Sequence, residues 1–124
     1  MKHIVVNLEE QMVEAFDGDE SVFQFICVTG DDDHPTDKGV FHIFRKQHPY
    51  RSKTYDVQMD YAMFFTEDGK ALHQYHGPVP LSVVRTMRQG VSDWFGSHGC
   101  VRLQEEDARS LYEWAPLNTK VTVK

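Results

Sequence analysis

Three runs rich in β-branched and aromatic residues crowd the first thirty positions, and only short polar breaks separate them. Residues 2–8 carry Ile4, Val5, Val6 and Leu8, and residues 11–16 carry Met12, Val13 and Phe16. Glu9-Glu10 lies between them, so the pair reads as a hairpin with a short polar turn. After Asp17-Gly18-Asp19, residues 20–29 form the strongest strand of the set, with Val22, Phe23, Phe25, Ile26 and Val28. Its apolar part is continuous enough to predict a central strand buried on both faces. A chain that opens this way is committed to sheet.

The rest alternates strand and turn before helix signals arrive. Residues 30–38 are polar and punctuated by Pro35, with Gly39 next, which predicts a surface loop. Residues 39–46 resume a strand through Val40, Phe41, Ile43 and Phe44. Residues 47–54 read as a basic and aromatic loop, and residues 56–66 as a strand ending at the Glu67-Asp68-Gly69 turn. Residues 70–76 then return as its partner. Residues 80–89 space Leu81, Val84 and Met87 about three apart behind Pro80, which suits a short helix. Residues 104–115 place Ala108, Leu111, Tyr112 and Ala115 at i, i+3, i+4 and i+7, with Glu105, Glu106 and Asp107 at the positive end of the dipole. Residues 120–124 close as a strand. The expected class is mostly β with two short helices, in one domain over residues 1–124.

Composition excludes several functions. With 40% hydrophobic and 12% aromatic residues in 124, the chain can bury a core of its own. No apolar run is long enough to cross a bilayer, and the opening Met1-Lys2-His3-Ile4 enters a strand pattern rather than a signal peptide. A net charge of −6 without a basic cluster argues against nucleic acid as a partner. Asp31-Asp32-Asp33 lacks the alternating ligands and central glycine of a calcium loop, and reads as a solvated loop. Two cysteines are too few for a disulfide framework; Cys27, inside an apolar strand, is expected to be buried and inert. A monomer is expected.

The chemistry concentrates in Ser97-His98-Gly99-Cys100-Val101-Arg102. A thiol attacks a carbonyl only after losing its proton, so a nearby imidazole is needed. Gly99 can take a positive φ and turn the surrounding amides toward a developing oxyanion. Two histidines are candidates for the base, His98 two residues from Cys100 and His76 in the upstream pair His76-Gly77. The alternative is plain: a small core cysteine and two turn histidines. His73, His76, His98 and Cys100 also form a conceivable zinc set. On a strand, however, the i, i+3 spacing of His73 and His76 sends the rings to opposite faces, so neither a metal nor another cofactor is expected. Arg102 follows Cys100 by two and so shares its side of a strand. It could hold a substrate carboxylate in two hydrogen bonds or pair with a structural acid. Tyr75, Tyr61 and Trp94 are candidates for lining a groove, and equally for core or rim.

Ser97 to Leu103, with His76-Gly77 before it, resembles the signature of the L,D-transpeptidases, the YkuD-like catalytic domain of bacterial cell-wall enzymes. The resemblance runs on through Val5-Val6-Asn7-Leu8 with Gln11, Val28-Thr29-Gly30, Pro35-Thr36, Gly39-Val40-Phe41 and the closing strand at residues 119–123. It implies a curved β-sandwich. It also implies Cys100 as nucleophile and His76 as base, the Gly77 carbonyl fixing the histidine tautomer. Amides at His98, Gly99 and Cys100 would form the oxyanion hole, with Ser97 stabilising the turn. Arg102, Tyr75 and Trp94 remain the candidates, from their own chemistry, for contact with substrate. The implied substrate is a peptidoglycan tetrapeptide stem in the cell envelope, cross-linked 3→3 or hydrolysed, and the implied inhibitor a carbapenem. Twenty residues separate His76 from Ser97, more than the family's usual mid-teens, which leaves open a non-catalytic peptidoglycan-binding module of the same fold.

Overall fold

The computed structural model describes residues 1–30, 35–53, 57–90 and 99–124. The opening hairpin forms as the pattern requires. Strands β1 (Lys2–Asn7) and β2 (Met12–Asp17) pair antiparallel, and β3 (Glu20–Ile26) joins the outer side of β2. The closing strand β11 (Lys120–Val123) lies parallel to β1, and β4 (Gly39–His42) pairs with its other side, which gives the sheet order β3-β2-β1-β11-β4. The N- and C-terminal strands are therefore the middle of the sheet.

β3 is an edge strand, not the central strand its apolar content predicts. The reason is what its side chains meet. Phe23 stacks on Phe25 and meets Trp114 edge-on, while Ile26 packs on the cluster of Val28, Leu81 and Val84. Helices, rather than strands on both sides, cover its apolar face.

The run at residues 39–46 also divides. After β4 the chain changes sheets at Ile43 and Phe44, and β5 (Arg45–Gln47) begins a second sheet. β6 (Arg51–Ser52) and β7 (Val57–Gln58) form a small ribbon of their own. β8 (Ala62–Phe64) pairs antiparallel with both β5 and β9 (Ala71–Gln74), and β10 (Val101–Leu103) lies parallel to β9. The predicted strand at 56–66 is thus broken, and Tyr61 at its break has φ +53°. Thr54, Tyr55 and Asp56 lie outside the described residues.

The two sheets share one core, as a sandwich requires. Ile4, Val6 and Val121 of the first sheet and Met63, Leu72, Val101 and Leu103 of the second belong to a single buried cluster. Helix α2 (Glu105–Trp114) adds Ala108 and Leu111 to it at the predicted spacing, and Ala115 caps the helix from within the same cluster. Helix α1 (Leu81–Gly90) buries Leu81 and Val84 against Val28. Among the described residues no helix is long and apolar enough to cross a membrane.

β10 is fixed on both sides. β9 flanks it on one, and on the other Val28 exchanges backbone hydrogen bonds of 3.0 and 2.9 Å with Arg102. Cys100 immediately precedes this strand.

Candidate active site

Gly99 sits at φ +111°, a conformation that residues with a Cβ rarely adopt, and turns the chain into Cys100 at the head of β10. The Cys100 side chain packs in a cluster with Met59, Ala62, Phe64 and Ala71, and the residue is 5% exposed. Burial pushes its thiol up to about 11, opposed in part by a hydrogen bond from the Ala71 backbone. The other thiol, Cys27, has no exposure and is pushed up to about 12 by the same cause.

A buried relay of hydrogen bonds holds this turn. The Gln11 side chain accepts from the Thr29 amide at 3.0 Å and donates to Thr29 Oγ1 at 2.7 Å. Next in the chain, the Gly30 amide donates to Thr36 Oγ1 at 3.0 Å, and that hydroxyl donates to the Gly99 carbonyl at 2.8 Å. Two residues of the loop predicted at 30–38 therefore reach inward. Gly30 and Thr36 are buried, and they anchor the residue before the thiol. Asp31, Asp32, Asp33 and His34 lie outside the described residues.

The imidazole placed on the strand beside the thiol is His73. In the parallel pairing of β9 and β10, His73 stands opposite Arg102 and Leu72 opposite Val101. Side chains alternate along each strand, so His73, Ala71, Arg102 and Cys100 share one face of the sheet. One strand across and two residues along puts the His73 and Cys100 Cα atoms roughly 8 Å apart, within the combined reach of the two side chains. His73 Nδ1 lies 2.8 Å from the Gln74 carbonyl. A carbonyl can only accept, so Nδ1 carries the hydrogen and Nε2 keeps the lone pair that could take a proton.

His73 is 3% exposed, and burial drives it down to about 4. At neutral pH imidazole and thiol are both uncharged. The unfolded state, titrating near 6.5, binds one proton more between pH 6.5 and 4, so stability is complete above pH 6.5 and falls as pH drops through that window. The expected loss is about 3 kcal/mol. Urea unfolding at pH 7 and pH 4.5 should show most of this loss in the natural chain and little of it in His73→Gln. The paired carboxylates do not obscure the comparison, because Asp60, Asp68 and Glu14 are present in both proteins and whatever stability they lose on acidification cancels between them.

His76 takes a different setting. It follows the end of β9, its side chain is 32% exposed, and its Nε2 lies 3.1 Å from Asp60 Oδ2. Asp60 also accepts from the Gln58 side chain at 2.7 Å and the Tyr50 amide at 3.2 Å. A cavity of about 390 Å³ is lined by Arg51, His73, Tyr75, His76, Gly77 and Arg102, among others. The Arg102 guanidinium lies 5.5 Å from the centre of the Tyr75 ring.

Of the residues singled out in the sequence, Gly99 and Cys100 form the turn, and Arg102, Tyr75, His76 and Gly77 line the cavity. Ser97, His98 and Trp94 lie outside the described residues. His73, Arg51, Asp60 and Lys70 were not picked out for these places. His73 had a signal, as a histidine inside the strand predicted at residues 70–76. Among the described residues no three His, Cys, Asp or Glu side chains are grouped to hold a metal.

Comparison with known proteins agrees with this architecture. The profile of the YkuD family, described as the L,D-transpeptidase catalytic domain, matches residues 1–123. The provisionally named L,D-transpeptidase YciB of Bacillus subtilis (strain 168) is 28% identical over 97% of this chain and 64% of its own length. An L,D-transpeptidase from Stackebrandtia nassauensis superposes with a TM-score of 0.83 at 28% identity, covering 99% of this chain and 55% of that one. An L,D-transpeptidase from Mycobacterium smegmatis, at 21% identity and a TM-score of 0.79, shares the fold over 99% of this chain and 58% of its own. The chain thus spans between about half and two thirds of the length of these relatives.

Proposed function

The chain belongs to the YkuD family of L,D-transpeptidase catalytic domains, and on that premise we propose that it is a cysteine acyltransferase acting on peptidoglycan tetrapeptide stems in the bacterial cell envelope. Cys100 is the nucleophile. It attacks the carbonyl of the stem's diamino acid at its L-centre, the Sγ–C bond forms, and the C–N bond to the terminal D-alanine breaks. The thiol proton passes to a histidine Nε2 and from there to the leaving amine. A side-chain amine of a neighbouring stem then attacks the thioester to give a 3→3 cross-link; water in its place gives L,D-carboxypeptidase activity. The Gly99 and Cys100 amides face the oxyanion, and Arg102 holds a substrate carboxylate beside Tyr75.

The observation that carries this reading is the register of His73 with Arg102, two residues past Cys100 on a shared face. It favours His73 over His76 as the base. The Nδ1 bond to the carbonyl of the next residue is the tautomer-fixing contact that the sequence resemblance assigns to His76-Gly77, and it occurs at His73-Gln74. Two neutral partners suit a transfer in which the proton leaves sulfur as the carbonyl arrives, so no standing thiolate is needed. His76, tied to Asp60, belongs to the cavity wall.

Burial of Cys100 is the observation that favours the second reading, a non-catalytic peptidoglycan-binding module. Incubation with purified disaccharide tetrapeptide, followed by mass analysis of products and protein, separates the two. D-alanine release, with an acyl or carbapenem adduct on the peptide containing Cys100, is the expected outcome. Sedimentation with sacculi without adduct or turnover supports the binding module.

A further inference from the structure

The Thr36 relay holds Gly99 from one side, and Lys70 holds it from the other. A Cβ built on Gly99 would lie 2.5 Å from Lys70 Cε, 3.0 Å from Cδ and 3.3 Å from Cγ, so the lysine stem lies directly against the glycine. Lys70 Nζ is 2.7 Å from Asp37 Oδ2 and 3.2 Å from Asp68 Oδ2. The lysine side chain is 11% exposed, whereas the two aspartates are 50% and 60% exposed. We propose that Lys70 is a positioning residue for the nucleophile: its stem is the surface on which the Gly99 turn is seated, and Asp37 and Asp68 pin that stem in place.

Stability does not account for this arrangement. Pairs with such exposed carboxylates contribute about 0–1 kcal/mol, and ordering a lysine side chain costs about as much. The geometry does account for it. Asp37 follows Thr36, whose hydroxyl holds the Gly99 carbonyl, so the Lys70–Asp37 pair closes a ring of contacts through Gly99, Thr36, Asp37 and Lys70. The Lys70 backbone is itself fixed, its amide donating to Thr66 Oγ1 at 2.9 Å and its carbonyl accepting from Phe65 at 3.1 Å. The next residue, Ala71, sends a backbone hydrogen bond to the Cys100 sulfur. One dipeptide therefore touches both residues of the turn. Its ammonium, held protonated by the two carboxylates, also favours a negative sulfur at Cys100, as Arg102 does, while Asp68 opposes it.

The inference rests on Cys100 being the reacting group, and the test keeps the two apart. In the full chain, two rates at Cys100 are measured by mass spectrometry: acylation by imipenem, and alkylation by iodoacetamide as a function of pH. Lys70→Met, which keeps an unbranched stem and loses the charge, is expected to slow acylation about 10- to 100-fold, the scale of a small misplacement of a reacting group. The alkylation profile should move to higher pH. Lys70→Arg should recover most of both, and Asp37→Asn should fall between.

Acylation within twofold of the natural chain in Lys70→Met overturns the proposal. So does a loss that leaves the alkylation profile unmoved, or one that Lys70→Arg does not relieve, because either would mark a merely structural residue. If Lys70→Met does not unfold cooperatively, Asp37→Asn decides alone, and an unchanged acylation rate overturns the proposal. Failure of the natural chain to take up imipenem counts against the transpeptidase reading, and the alkylation profiles then decide the role of Lys70.

Discussion

His73→Gln is expected to lower D-alanine release from a tetrapeptide stem by about 10²–10⁴-fold, the usual worth of a general base, and to approach the floor set by Cys100→Ala. His76→Gln should change kcat by less than about threefold and act mainly on KM, in keeping with a place on the cavity wall. Glutamine at position 73 keeps a polar side chain of similar reach in the site while the basic lone pair at Nε2 is lost. The pH profile supplies an independent check. A neutral imidazole is needed, so the acid limb of kcat/KM should fall near pH 4, well below the position of an ordinary histidine. If His76→Gln drops to the Cys100→Ala floor while His73→Gln keeps its rate, the base is His76, as the sequence resemblance alone implies.

The two histidines show where sequence reasoning succeeds and where it stops. The thiol and its glycine can be picked out from the residues as a local pattern, and the segments at Gln11, Thr29-Gly30 and Pro35-Thr36 by their resemblance to the L,D-transpeptidases. The structure adds a reason for their company: Gln11, Thr29, Gly30 and Thr36 form one hydrogen-bonded relay ending at Gly99. The choice of histidine is not local. It depends on the register between β9 and β10, which meet from opposite ends of a long connection, and a shift by one residue would turn His73 to the other face. His76-Gly77 has the look of a site motif, but its ring meets Asp60, a partner that no sequence spacing singles out.

The same limit explains the errors in the fold. Period and composition predict α2 and the opening hairpin well, since helical spacing and a short polar turn are carried by neighbouring residues. They misplace β3 because burial by Trp114 and by the Val28 cluster looks, in sequence, the same as burial between two strands. They run β4 into β5 because at Ile43 and Phe44 the backbone hydrogen bonds pass from Thr119 to Phe64, a change of partner that leaves the apolar pattern intact.

Gly99→Ala is expected to cost both stability and activity. Two penalties coincide. A Cβ at φ +111° is strained by about 1–3 kcal/mol, and the methyl would also overlap Lys70 Cε, which cannot retreat without loosening its hold on Asp37 and Asp68. Stability in urea should fall by about 2–4 kcal/mol. Activity measured where the variant is still folded should fall by more than about 100-fold if, as proposed, the amides at the turn meet the oxyanion. The double variant Lys70→Ala/Gly99→Ala separates the penalties. Removing the stem takes away the overlap but not the backbone strain, so the coupling between the two changes should be favourable by about 1 kcal/mol, with activity unrestored. Strict additivity of the two stability losses would mean that the alanine methyl never meets the lysine, and the close packing of Lys70 on the turn would have to be abandoned.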